Sequence, residues 1–159
     1  MRDLRAFTVE GPVQAELLVL VLKDGVPHLS GPCGPEPWYV EVAQGGDPME
    51  VAGRLARGNL GEPVLVHSTS WRTARGGVVL SFVVVMDSLD LPSVPVVRAD
   101  LARGGATSAP DEIAAAPVIE HGLRHLAWLV KDDAVVAHEL SPAWHEVLSG
   151  YVPEPFRPL

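Results

Sequence analysis

Two long apolar runs dominate the hydrophobic pattern of the chain. Residues 15–22 and 78–86 consist almost wholly of aliphatic side chains, and the second run is rich in valine. Continuous apolar runs of this length are typical of strands that are covered on both faces of a sheet. We therefore predict two buried strands, and we place residues 78–86 at the centre of the sheet because β-branched residues favour that position.

Shorter segments with strand character surround these two runs. They are residues 4–9, 26–30, 38–42 and 63–71, with an edge strand at residues 96–98. Asp24-Gly25 predicts a tight hairpin before residue 26, because this pair tolerates the positive φ angles of such turns. Residues 31–37 hold three prolines and two glycines, which predicts a loop. Residues 87–95 are predicted to form a second loop.

Helical signals begin at Asp47-Pro48, because aspartate caps a helix and proline suits its first position. This helix is expected to end near residues 58–61. Residues 118–131 predict an amphipathic helix, followed by shorter helices at residues 133–140 and 141–150. The pattern indicates an α/β (α+β) fold with a mixed β-sheet between helices. We predict a sheet and helix core over residues 1–103 and a helical extension over residues 104–159 that packs on the same domain.

The segment around the first helix resembles the Nudix motif. A Gly45-Gly46 turn and the Asp47-Pro48 helix start reproduce the frame of that motif. In an ungapped comparison Arg54 fills its arginine position and Gly61 its closing glycine. The order of strands, turn and helix over about residues 15–86 also resembles the Nudix fold, which is a mixed sheet between helices. The resemblance therefore implies a Nudix-like core covering roughly half of the chain.

The glutamates of the Nudix family are missing from this segment. In the family they hold Mg²⁺ or Mn²⁺ over a pyrophosphate, and the metal activates water. The corresponding positions here are Gly46, Leu55, Gly58 and Asn59. Aliphatic, glycine and asparagine side chains cannot form a cage for a hard cation. We therefore predict a degenerate Nudix box that does not hydrolyse pyrophosphates, and whether the protein is an enzyme by another mechanism stays open.

A polar stretch follows the apolar start of the strand at residues 63–71. Strand alternation puts His67, Thr69 and Trp71 on one face, with Ser68, Ser70 and Arg72 on the other. Such a polar strand end could line a ligand cleft, with Trp71 as a stacking platform and Arg72 as an anion clamp. We take His67, Thr69, Trp71 and Arg72 as candidate ligand-binding residues. The alternative is an edge strand with one wet face and Trp71 in the core.

Two histidines, His121 and His125, stand four residues apart on the predicted helix 118–131. This spacing puts them on one helical face, where they could bind a divalent metal. The wheel places both at the border between the apolar arc and a polar side formed by Glu120, Arg124 and Lys131. Border histidines also pack at interfaces, and with Trp128 they could form a homodimer seam. Further metal ligands would have to come from the following helices, which carry His138, Glu139 and His145.

Composition limits the classes of partner. The formal net charge is −8, and the 12 basic residues are scattered, so nucleic acid and anionic membrane surfaces are disfavoured as partners. No apolar run approaches the roughly 20 residues that span a bilayer, and no signal peptide is recognisable. We expect a cytoplasmic protein, and the predominance of Arg over Lys with much Ala, Gly and Pro suggests a bacterial source. The single cysteine, Cys33, cannot form an internal disulfide.

The leading hypothesis is a non-catalytic ligand-binding or interaction module without a cofactor. Its pocket would lie between the strand at residues 67–72 and the helix at residues 118–131, with a small anionic or nucleotide-like ligand. One alternative is a metal-assisted hydrolase that uses a divalent metal at His121 and His125 with Glu120 or Glu139. The other is a purely structural homo-oligomer, and a homodimer is compatible with each hypothesis.

Overall fold

The computed structural model describes residues 11–32, 36–74, 76–100, 115–155 and 157–158. The strands are β1 (Val13–Lys23), β2 (Val26–Ser30), β3 (Trp38–Val42), β4 (Leu65–Ala74), β5 (Gly77–Met86), β6 (Ser93–Pro95) and β7 (Arg157–Pro158). The helices are α1 (Pro48–Leu60), α2 (Ala115–Asp132), α3 (Ala134–Glu139) and α4 (Pro142–Leu148). The predicted strand at residues 4–9 and the predictions for Cys33 lie outside the described residues.

The described strands form one mixed sheet in the order β6-β2-β1-β5-β4-β7. Strands β1 and β5 run parallel, whereas β4 and β5 form an antiparallel hairpin. Strands β2 and β3 lie end to end along the other edge of β1. The two apolar runs therefore occupy neighbouring central strands, which confirms the prediction that residues 78–86 lie at the sheet centre.

Helices cover both faces of the sheet, so the predicted α+β class with a mixed sheet between helices is confirmed. Leu17 and Val19 of β1 belong to a core that includes Ala52 and Ala56 of α1. The alternate residues Leu18 and Leu20 belong to a second core, which includes side chains from α2, α3 and α4. We call the two sides of the sheet the α1 face and the α2 face.

The predicted turn and cap residues adopt the expected geometry. Asp24 and Gly25 have φ angles of 51° and 75°, which suits the tight hairpin between β1 and β2. The Asp47 carboxylate accepts hydrogen bonds from the backbone N–H groups of Met49 and Glu50, so it caps α1 as predicted. Helix α1 ends at Leu60, and its C-cap Gly61 has a φ angle of 96°.

The edge strand differs from the prediction. Strand β6 comprises residues 93–95 within the predicted loop, and it pairs with residues 28–30 of β2. The prediction of an edge strand at residues 96–98 is wrong, because only the Val96 N–H still bonds to β2, at the Pro27 carbonyl. Beyond Val96 the chain leaves the sheet, and the guanidinium of Arg98 bonds to Glu120 of α2.

Helix α2 is buried on nearly all sides, which corrects the predicted amphipathic pattern. Glu120, His121 and His125 are each no more than 1% exposed, although the sequence placed the first on the polar side and the histidines at the border. Arg98 covers the polar side of the helix by bonding to Glu120, and residues 151–155 cover it through the contacts of Glu154 with Arg124. Among the described residues no helix is long and apolar enough to cross a membrane.

Candidate functional site

A β-bulge in β4 determines which polar side chains can meet. Ser68 pairs with Phe82 and Ser70 with Ser81, so Thr69 is an extra residue between the two pairs. The bulge reverses the alternation. His67 therefore lies on the α2 face with Ser70 and Arg72, whereas Trp71 is opposite Leu80 on the α1 face and is 38% exposed. The prediction that His67, Thr69 and Trp71 share one face is wrong for this reason.

Arg72 forms a buried ion pair with Glu16 of β1 across the intervening strand β5. Its Nη1 donates to Glu16 Oε1 at 2.8 Å and its Nη2 to Oε2 at 2.7 Å. Ser81 Oγ donates to Oε1 at 2.7 Å and Tyr39 Oη to Oε2 at 2.8 Å. We call Glu16, Tyr39, Arg72 and Ser81 the strand cluster. Its geometry is that of a bidentate, charge-assisted pair.

The charges of the strand cluster compensate each other. Burial raises the pKa of Glu16, but the hydrogen bonds and the positive charge of Arg72, together with the Ser81 and Tyr39 hydroxyls, hold it below its ordinary value. Glu16 is therefore a carboxylate at neutral pH. Because both terminal nitrogens of Arg72 donate to this carboxylate, the guanidinium is already neutralised within the protein. The role of Arg72 as an anion clamp and of Trp71 as a stacking platform both stay predictions.

The predicted histidines lie between α2 and β4, facing the strand. His121 Nε2 is 3.1 Å from the carbonyl oxygen of Thr69, the extra residue of the bulge. The ring centroid of His125 lies 5.3 Å from that of His67, 6.4 Å from that of His121 and 5.6 Å from that of Trp128. We call this contact region the β4–α2 seam. It includes His67, Thr69, His121 and His125, but not Trp71.

Gly122 permits the close approach of α2 to the sheet. A Cβ atom at this position would lie 2.9 Å from Val83 Cγ2 and 3.9 Å from Thr69 Oγ1. The first distance is shorter than any ordinary van der Waals contact, and a valine methyl group has little freedom to move. The absence of a side chain at Gly122 therefore sets the spacing at which the two neighbouring histidines reach β4.

A segment from the C-terminus closes the seam. We call residues 151–155 the strap. Glu154 is its main contact, because the Glu154 carbonyl oxygen lies 3.2 Å from His125 Nδ1 and its N–H donates to the Arg124 carbonyl at 3.1 Å. Its carboxylate oxygens lie 3.5 Å from Arg124 Nη1 and 3.6 Å from His121 Nδ1. His121 and His125 are therefore buried against segments of their own chain, and the homodimer stays a prediction.

Arg98 fastens the other end of the strap. Its guanidinium bonds to the buried Glu120 carboxylate at 3.1 Å, donates to the Gly150 carbonyl at 3.1 Å, and lies 4.0 Å from the centroid of the Tyr151 ring. Burial raises the pKa of Glu120, but the hydrogen bonds from Arg98, Arg124 and the Ala99 N–H bring it below its ordinary value. The strap is thus attached to α2 through charged groups at both ends.

His125 is neutral at physiological pH. Burial lowers its pKa, and the nearby His67 and His121 lower it further, to about 4. A neutral imidazole carries one N–H donor and one acceptor nitrogen. The seam therefore combines neutral imidazole with the fixed positive charge of Arg124, an arrangement that can accept a carboxylate and a neighbouring peptide group at the same time.

The geometry offers little support for a metal centre. No group of three or more His, Cys, Asp or Glu side chains is placed to hold a metal ion in the part of the chain that the structure describes. On α1, Glu50 is ion-paired with Arg54, and Glu62 beyond its end is ion-paired with Arg57. A divalent metal at His121 and His125 stays a prediction, and both rings already contact backbone carbonyl groups.

Several polar residues of the strand cluster and the seam were not identified from the sequence. Glu16 and Ser81 are the only strongly polar side chains in the two long apolar runs, and that isolation is a signal that could have identified them. Tyr39, Arg98 and Glu154 carried no such signal, because their partners lie 23, 22 and 29 or more positions away along the chain.

Comparisons with known proteins give no further guide to the site. No family model matches the chain, and no curated protein matches it.

Proposed function

We propose that this protein is a non-catalytic binding module whose ligand site is the β4–α2 seam. The observation that carries the proposal is the convergence of His121, Arg124 and His125 on the carboxylate and peptide group of one residue, Glu154. These contacts form a site that accepts a carboxylate. A small anionic ligand is therefore the class that we propose. The net charge of −8 disfavours nucleic acid as a partner.

The proposal includes a Nudix-like core that has lost its metal chemistry. In support, the family's glutamate positions on α1 carry Leu55, Gly58 and Asn59, and the acidic residues nearby are paired with arginines. Leu55 and Gly58 carry no side-chain oxygen, so these positions lack the carboxylate ligands that a magnesium site needs. Binding without turnover is accordingly the activity that we expect at neutral pH.

Two assays on the purified full chain test the proposal. The first measures release of phosphate or nucleoside monophosphate from nucleoside diphosphate derivatives with Mg²⁺ or Mn²⁺, where we expect no turnover above background. The second measures melting temperature in chelator with nucleotides and small carboxylates. A ligand at a hundredfold excess over its Kd should raise the melting temperature by about 8 °C.

A pair of histidine variants locates the binding site. His121→Gln keeps a donor for the Thr69 carbonyl but removes the imidazole, so it should abolish the ligand-induced rise. His138→Gln changes an exposed histidine on α3 and should leave the rise intact. Metal-dependent turnover would overturn the proposal. Stabilisation by a divalent metal alone, lost in His121→Gln, would instead support the metal-assisted hydrolase.

A further inference from the structure

The strap lies on the seam as an extended peptide. Residues 152–155 belong to no helix or strand, and Pro153 and Pro155 have no N–H group. Glu154 is therefore the one residue from 153 to 155 with a main-chain donor, and that donor reaches the Arg124 carbonyl at 3.1 Å. The flanking prolines fix the backbone in an extended form, so little conformational entropy is lost when such a segment docks.

Helix α2 contacts the glutamate of the strap through one face. His121, Arg124 and His125 stand three and four positions apart, which places them on adjacent turns. Two of them approach the Glu154 carboxylate and the third its carbonyl oxygen. The side-chain charge and the main-chain position of this residue are thus recognised together, as is typical of a site for a defined peptide motif.

We infer that the β4–α2 seam is a peptide-binding groove occupied in cis by the chain's own strap, and that its partner in trans is an extended segment with a glutamate between two prolines. This inference rests on the proposed function and specifies the ligand. The partner's carboxylate complements Arg124, which would contact it in place of Glu154 while keeping its bond to Glu120. A tethered strap has an effective concentration in the millimolar range, so it competes strongly with a free peptide.

Fluorescence anisotropy of a labelled peptide tests the inference. The peptide carries the sequence of residues 149–155 and is titrated with the full chain. Glu154→Gln weakens the strap in cis, so this variant should bind the peptide about 10-fold more tightly than the wild type. A peptide with glutamine in place of its glutamate should bind the variant about 10-fold more weakly. The control Glu146→Gln changes an exposed glutamate on α4 and should behave as the wild type does.

A second variant covers the case in which Glu154→Gln fails to fold. Glu154→Asp keeps the charge but shortens the side chain by one methylene, and it should also raise peptide affinity above the wild-type value. Equal affinity of the wild type and both strap variants would overturn the inference, as would equal affinity for the glutamine peptide. A strap variant that forms concentration-dependent dimers and does not bind the peptide would also overturn the inference. In that case a second copy of the chain would fill the groove.

The failure of this inference can be distinguished from failure of the proposed function. If small anions stabilise the protein through His121 but no peptide binds, the seam remains a ligand site and the peptide groove is excluded. Metal-dependent turnover of a nucleoside diphosphate derivative would instead disprove the proposed function, whatever the result of the peptide titration.

Discussion

At the scale of single residues, isolated polar positions in apolar runs are the most informative. Glu16 and Ser81 lie opposite each other on parallel central strands, and both contact Arg72. The sequence could predict that a glutamate within a buried strand needs a partner. The sequence could not predict which arginine is that partner, because the pairing depends on the register of three strands and on the bulge at Thr69.

The buried ion pair leads to a stability prediction. Arg72→Met leaves the Glu16 carboxylate buried without its countercharge, so the free energy of unfolding should fall by about 3–5 kcal/mol. Urea unfolding followed by circular dichroism measures it. Arg54→Met removes an exposed i, i+4 pair on α1 and should change the free energy of unfolding by less than about 0.5 kcal/mol. Equal effects in the two variants would show that the strand cluster is not a buried pair.

Two glycine-to-alanine variants test the close contact of α2 with the sheet. Gly122→Ala introduces a methyl group 2.9 Å from Val83 Cγ2, and we expect a loss of about 1–3 kcal/mol in the free energy of unfolding. Gly58→Ala on α1 meets nothing within 4 Å and should gain about 1 kcal/mol, because alanine is the better helix former. Thermal melts of the two variants should therefore shift in opposite directions. Stabilisation in both would contradict the tight packing at Gly122.

At the scale of elements, the hydrophobic pattern predicts where helices and strands occur. It predicts only in part which side chains of an element are buried. The helical wheel of α2 identified the apolar arc correctly, since Val118, Leu123 and Leu126 are buried. It placed Glu120 on the solvent side because it holds no information about distant segments such as Arg98 and the strap. In β4, alternation failed after Ser68 because a bulge leaves no clear mark in the composition of a strand.

His125 should make stability dependent on pH. The pKa of His125 is lowered from 6.5 to about 4, so the folded state favours the neutral ring. The stabilising contribution is complete above pH 6.5 and is lost as the pH falls through about 4. A pKa that differs by 1 between the folded and unfolded chain corresponds to about 1.4 kcal/mol, so the free energy of unfolding should fall by at most about 3 kcal/mol. Urea unfolding between pH 7 and pH 4 measures it.

Variants assign this pH dependence to His125. His125→Phe replaces the imidazole with a ring that does not titrate, so the fall in stability between pH 6.5 and pH 4 should become shallower. His138→Gln, at an exposed position of α3, should reproduce the wild-type slope. If His125→Phe and the wild type lost stability in parallel, other groups would be responsible and His125 would not be held neutral by the seam.

At the scale of the whole molecule, the order of elements and the position of the central strands were predictable because they depend on local patterns and turn residues. Asp24-Gly25 and Asp47-Pro48 each determine a turn or a helix start without help from the rest of the chain. The seam depends instead on three distant segments, namely β4, α2 and the strap. Its residues His67, Thr69, His121 and His125 were identified as polar and unusual, but the role of Glu154 emerges only when the strap is placed.

The β4–α2 seam is the central claim, and an amide NMR titration of the full chain tests it most directly. The ligand is the nucleotide or carboxylate with the largest thermal shift in chelator. We predict metal-independent, saturable changes at amides of β4, α2 and the strap, with α1 unaffected. Changes that centre on α1 and require Mg²⁺ or Mn²⁺ would contradict the claim, because the ligand would then bind where the Nudix glutamates are missing.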